Sequence, residues 1–311
     1  MLAKYSAEGI RTVVVTCTNG ELGDGPGGIK PGEEGHDTDA VAATRRVELQ
    51  KACGVLGVSD LEMLGYHDSG MAEWDYKDHE QAFSATPVDV AADRLAALMQ
   101  TYQPDVVVTY CIDDGYEHPD HIQTHRVTMA AMAALTAEAE TEADRAAVPL
   151  VYCILTPQSW ASQDRAWLRD QVVLRDNVGR DVSVELRVSV GRDVSVGRDD
   201  GTAPSDHVAT SPGCVVLPPD APYPPSVVSD ELVTHVVDEP ALVEVQSRAL
   251  ARHTSQVSVY DGFYALSNHI AVRLSGREGF ARFNPVAGDL VPAVHGAPWH
   301  TGLLNDSLAV G

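Results

Sequence analysis

The sequence predicts an α/β protein: a mostly parallel sheet with helices on both faces. Three observations predict it. Apolar, β-branched runs such as "TVVVTCT" and "DVVVTY" alternate with helical stretches through the first half. Those runs are apolar at consecutive positions, as strands buried on both faces are. The segments between them are long enough to hold the crossover helices that parallel strands require.

Each element follows from local signals. Residues 2–8 read as a helix stopped by Gly9, and 10–18 as a buried strand. The Gly-rich "NGELGDGPGGIKPGEEG" is loop. Helical periodicity runs over 39–53 through Val41, Ala42, Val47, Leu49, Ala52 and Cys53, and ends at Gly54 and Gly57. "LEMLGY" (61–66) is a short strand, followed by a polar loop. Residues 88–102 make an amphipathic helix ended by Pro104. A strand at 105–110, a long Ala/Met-rich helix at about 120–145 and a strand at 149–155 follow. In the second half "VGRDVSV" occurs at 178–184 and again at 190–196, a period of twelve residues. With the Pro- and Asp-rich stretch after it, this reads as an exposed low-complexity insertion. Residues 238–256 look helical, and 260–274 return to a core-like pattern. The expected organisation is a core over 1–174, an insertion over 175–235 and a C-terminal lobe over 236–311 that completes the fold.

Charge narrows the function. The 311 residues carry 45 acidic against 22 basic side chains, a formal net charge of −23. Such a surface repels phosphate backbones and anionic lipid, so nucleic-acid and membrane partners are not expected. A neutral or cationic small molecule is easier to hold. The five cysteines, Cys17, Cys53, Cys111, Cys153 and Cys214, form no C-x-x-C pair. They read as reduced thiols of a cytoplasmic protein. No apolar run has the length of a membrane span, and the first residues carry no signal-peptide core.

The chemistry concentrates in "GYEHPDH", residues 115–121. It follows a predicted strand and opens a predicted helix, with Pro119 suited to the first helical position. In open α/β sheets, sites form at the carboxyl ends of strands. The helix amino end there favours negative charge. "TNGELGD" and "YHDSGM" follow two other strands, so three polar loops converge on one sheet edge. Alone, H-x-x-H is a common surface pattern. In this context it suits a catalytic metal, which takes His, Asp or Glu ligands and leaves a position for water.

At these residues the sequence resembles the PIG-L or LmbE-like N-acetylglucosaminyl deacetylases, zinc hydrolases with a Rossmann-like sheet. It is most similar to the actinobacterial branch of mycothiol biosynthesis. The matching stretches are "VVVTCTNGELGD", "TRRVELQKACGVLGV", "YHDSGM", "DDGYEHPDHIQTHR" and "DGFYALSN". The resemblance implies zinc as cofactor, a sugar conjugate as substrate and hydrolysis of its N-acetyl amide. It implies His121 as a zinc ligand, and His118 as the imidazole acting on the oxyanion or leaving amine. It implies Asp120 as the carboxylate orienting that histidine, and Tyr116 as a contact to the carbonyl. It implies Arg45 and Asp68 as holders of sugar hydroxyls, and Met71 and Asp24 as pocket lining. From the residues alone, Arg45 has a plainer alternative, an ion pair with Glu48 or Glu21, and Asp68 is also an ordinary turn residue.

The family's other half-site, A-H-P-D-D, is not found in this sequence, which opens on a stretch similar to the helix that follows it. The residues present are therefore expected to bind zinc weakly and to show little or no deacetylation by themselves. His36, Asp37 and Asp39 are substitutes only in composition, because they sit in another loop. Two alternatives to the deacetylase reading are a sugar-binding relative that does not hydrolyse, and a mycothiol-conjugate amidase.

Overall fold

The computed structural model describes residues 1–112, 118–142, 145, 148–173, 214–294 and 297–304. Tyr116 and the repeat at 178–201 lie outside the described residues. In chain order the first half runs α1 (Leu2–Ala7), β1 (Val13–Thr18), α2 (Thr38–Leu56), β2 (Asp60–Tyr66), α3 (Val88–Tyr102), β3 (Val106–Thr109), α4 (Pro119–Glu138), β4 (Leu150–Pro157) and α5 (Gln158–Leu168). The second half adds β5 (Val227–Val228), β6 (His235–Asp238), α6 (Val243–Leu250), β7 (Val257–Tyr260), β8 (Phe263–Leu266), β9 (Ala271–Arg273), β10 (Arg277–Asn284), β11 (Asp289–Leu290) and β12 (His300–Thr301).

Local chemistry sets the boundaries. Asp37 caps α2 by accepting the Ala40 N–H at 3.0 Å, and Gly57 at φ 74° ends it in the left-handed region. Pro119 occupies the first turn of α4, and the His118 side chain is its cap. α4 ends at Glu138, short of the expected 145. The helical expectation over 238–256 resolves into a 3-10 turn, Pro240–Leu242, and the two turns of α6.

β1 and β2 pair in parallel, as do β3 and β4. The larger sheet follows the order β12-β6-β10-β4-β3, with β10 antiparallel to both β4 and β6. The fold is thus α/β with a mixed sheet, parallel in the half that leads to the polar loops. β7, β8 and β9 form a separate antiparallel sheet. β5, within the stretch read as insertion, pairs with β4.

β1 and β3 do not pair with each other, and each keeps one unpaired edge among the described residues. Both nonetheless lie against α4. All six residues of β1 are only half-buried, although its run is apolar. The shared core beneath centres on Phe83, Val127, Ala131, Met132, Val151 and Cys153, with Val15 of β1 and Val107 of β3 packed on it. No helix among the described residues is long and apolar enough to cross a membrane.

Candidate metal and substrate site

Three loops meet beyond the carboxyl ends of β1, β2 and β3. The β2 loop turns on Asp68, whose Oδ1 accepts the Gly70 N–H at 2.8 Å. Ser69 is fully buried there, and its Oγ accepts the Ser84 N–H at 2.9 Å. From the start of α4, Asp120 reaches across, and its Oδ2 accepts the Ser69 N–H at 3.1 Å. His118 Nδ1 accepts the Asp120 N–H at 3.2 Å and stands 4.0 Å from Asp120 Oδ2. Asp68, His118 and Asp120 each present a ligand atom, all within 4.8 Å of one another. The His121 ring lies flat on Tyr110, centroids 4.0 Å apart, and 5.0 Å from the His118 ring.

Asp120 is 6% exposed, and its Oδ1 has no hydrogen-bond partner among the described residues. Burial pushes its carboxyl up to about 7, Asp68 beside it pushes the same way, and the Ser69 contacts only partly offset them. A buried carboxylate with a free oxygen, next to a second carboxylate and an imidazole, is the environment a divalent cation satisfies. Oxygen and nitrogen donors of this kind suit zinc among other metals.

The other expected site residues divide. The Arg45 guanidinium donates to the Gly20 carbonyl at 3.0 Å. It also wedges against Gly20 and Gly23, where a Cβ would approach it to 2.7 and 2.8 Å. Its alternative partner Glu48 is engaged elsewhere, accepting from Thr254 and Ser255. Asp24 pairs with Lys30 at 2.7 Å, and its carbonyl accepts from Gln256. The Met71 carbonyl accepts the Trp74 N–H at 2.9 Å. His36 Nε2 contacts the Gly23 carbonyl at 2.9 Å, and Asp37 serves as the α2 cap. Sequence reasoning missed two groups. Glu21 is buried in the β1 loop, with Oε1 3.3 Å from His67 Nε2. Both belong to stretches singled out in the sequence, but nothing in a linear pattern shows that a loop glutamate is buried.

Comparison with known proteins adds an independent line. The 1D-myo-inositol 2-acetamido-2-deoxy-alpha-D-glucopyranoside deacetylase of Thermobifida fusca (strain YX) is 34% identical over 287 residues, which cover 90% of this chain and 85% of that protein. The protein of the same name from Nocardioides sp. (strain ATCC BAA-499 / JS614) is 34% identical over 306 residues, 93% of this chain and 88% of that one. The family model "PIG-L: GlcNAc-PI de-N-acetylase" matches residues 1–132. The chain belongs to the PIG-L family. Its PIG-L match contains all three loops of the site, since Glu21, Asp68 and Asp120 fall within residues 1–132. Among solved structures, the N,N'-diacetylchitobiose deacetylase of Pyrococcus horikoshii aligns with a TM-score of 0.36 and 21% identity, over 49% of this chain and 52% of that one.

Proposed function

We propose that this chain acts on the N-acetyl amide of an N-acetylglucosamine–inositol conjugate, with zinc as its metal. The observation that carries this reading is the convergence of Asp68, His118 and Asp120 beyond two strand ends, those of β2 and β3, in a member of the PIG-L family. His121 is the proposed zinc ligand, with its ring 5.0 Å from that of His118. A bound zinc lowers the pKa of water and polarises a carbonyl. The chain's own groups do the rest. Asp120 holds His118 at the amino end of α4, where the helix favours developing negative charge. His118 supplies a hydrogen bond to the oxyanion, or a proton to the leaving amine. Tyr116 is proposed as a second donor to the carbonyl. Arg45 and Asp68 are proposed to hold sugar hydroxyls, and Asp24 and Met71 to line the pocket. The free thiols fit a cytoplasmic setting.

The test is acetate release from 1D-myo-inositol 2-acetamido-2-deoxy-α-D-glucopyranoside, with binding measured in parallel. Zinc-dependent release, even if slow, supports the deacetylase reading. Binding without release supports the non-hydrolytic alternative. Release from a mycothiol conjugate but not from this sugar supports the amidase. Neither binding nor release of either compound contradicts the sugar-directed reading.

A further inference from the structure

We infer that Glu21 is a further substrate-positioning residue, its free carboxylate oxygen accepting a hydroxyl of a neutral polyol. The inference rests on the sugar-conjugate reading above. Glu21 is 6% exposed, and its Oε2 has no hydrogen-bond partner among the described residues. A buried carboxylate oxygen without a donor is costly, so such a group is retained where a ligand supplies the donor. The other oxygen faces His67 Nε2 at 3.3 Å, and His67 Nδ1 contacts the Asp68 carbonyl at 2.9 Å. His67 therefore links Glu21 to the residue next in sequence, which belongs to the candidate metal group.

The loop holds Glu21 in place from both sides. The Arg45 side chain packs against Gly20 and Gly23, so a side chain at either position would have to displace it, and Gly20 also sits at φ 73°. Leu22 is buried, with its Cδ1 3.3 Å from where a Cβ on Gly70 would lie. A carboxylate set by a clamped backbone selects one hydroxyl position, which a mobile surface glutamate does not. Beside it, His67 stacks on Tyr76 at 5.3 Å, and Tyr76 on His79 at 5.4 Å. This stacking fixes the His67 ring that faces Glu21.

The experiment is a calorimetric titration of the zinc-loaded full chain with the inositol-linked N-acetylglucosamine and its monodeoxy analogues. Wild type is compared with Glu21→Gln, and folding is checked by thermal melting. A hydrogen bond to a charged acceptor corresponds to a loss of about tenfold to hundredfold in affinity. That loss is expected for the parent sugar. One monodeoxy analogue should bind the two proteins within about twofold, because the hydroxyl read by Glu21 is gone. If Glu21→Gln does not fold, Glu21→Asp keeps the charge and shortens the reach, and the same pattern is expected. A uniform loss across every analogue indicates a structural role and overturns the inference. Equal affinity of wild type and variant for the parent sugar overturns it as well, while leaving the deacetylase reading intact. Failure of wild type to bind any of these sugars overturns both.

Discussion

Asp120 accepts the Ser69 N–H at 3.1 Å through Oδ2, which couples the start of α4 to the loop after β2 while Oδ1 stays unpaired. Two substitutions separate the acceptor role of Asp120 from its charge. Asp120→Asn keeps a carbonyl acceptor for Ser69, and should melt within a few degrees of wild type. Asp120→Ala strands a buried N–H and should cost about 1–3 kcal/mol. Both should keep the zinc affinity of wild type, because the proposed ligand is His121 and not Asp120. Thermal melts of metal-free protein and zinc content by elemental analysis check the pair. Equal stability of Ala and Asn would show that the Ser69 contact contributes nothing.

Glu48 ties α2 to the C-terminal half, accepting from the Thr254 hydroxyl and the Ser255 N–H at 2.8 Å, and from the Ser255 hydroxyl at 2.7 Å. Burial pushes its carboxyl up, but the Ser255 and Thr254 hydrogen bonds outweigh burial and hold it below the usual value. A folded-state value below the unfolded one stabilises the protein above the ordinary glutamate range. That stability is lost as pH falls through the lowered value. Glu48→Gln should therefore lose about 1–3 kcal/mol at pH 7, with the gap closing below roughly pH 4. Urea midpoints at the two pH values test this. A gap that persists at low pH would mean that packing, and not the charge, is responsible.

The split between the two sheets makes a third prediction. β1 and β3 each keep an open edge while both lie on α4. An apolar parallel strand between them would pair both edges. Leading through α1 into β1, it would also form the usual right-handed crossover. A chain extended ahead of Met1 by such a strand and A-H-P-D-D should melt higher. It should also bind zinc roughly tenfold or more tightly, because a three-ligand set is then complete. An extension of equal length with prolines in the strand is the control. Identical melting and zinc affinity of the two extensions would sink the idea.

Much of the fold is legible in the sequence, because its signals are local. Val88–Tyr102 shows its helical period and its proline stop, and Pro119 marks the first turn of α4. The antiparallel β10 in the middle of the sheet was not legible, since its partners β4 and β6 are distant in sequence. The same holds at the site. His118, Asp120 and Asp68 stand in short motifs that could be quoted. Glu21 is buried in a loop against which Arg45 of α2 packs, an arrangement no local pattern shows. The resemblance implies a sugar contact for Asp68, and only the fold brings it to the two α4 residues.

The most direct test of the account compares His118 and His121, which are similar in sequence but have different proposed roles. The assay is zinc content by elemental analysis, with acetate release from the inositol-linked N-acetylglucosamine measured on the same samples. It is best run on the extended chain, where release is expected to be measurable. The account predicts that His121→Ala loses both zinc and release. His118→Ala should keep its zinc and release acetate about 10²–10⁴-fold more slowly, as the loss of a general acid–base group entails. If His118→Ala comes out metal-free while His121→Ala retains zinc, the assignment is contradicted, and the metal belongs to Asp68, His118 and Asp120.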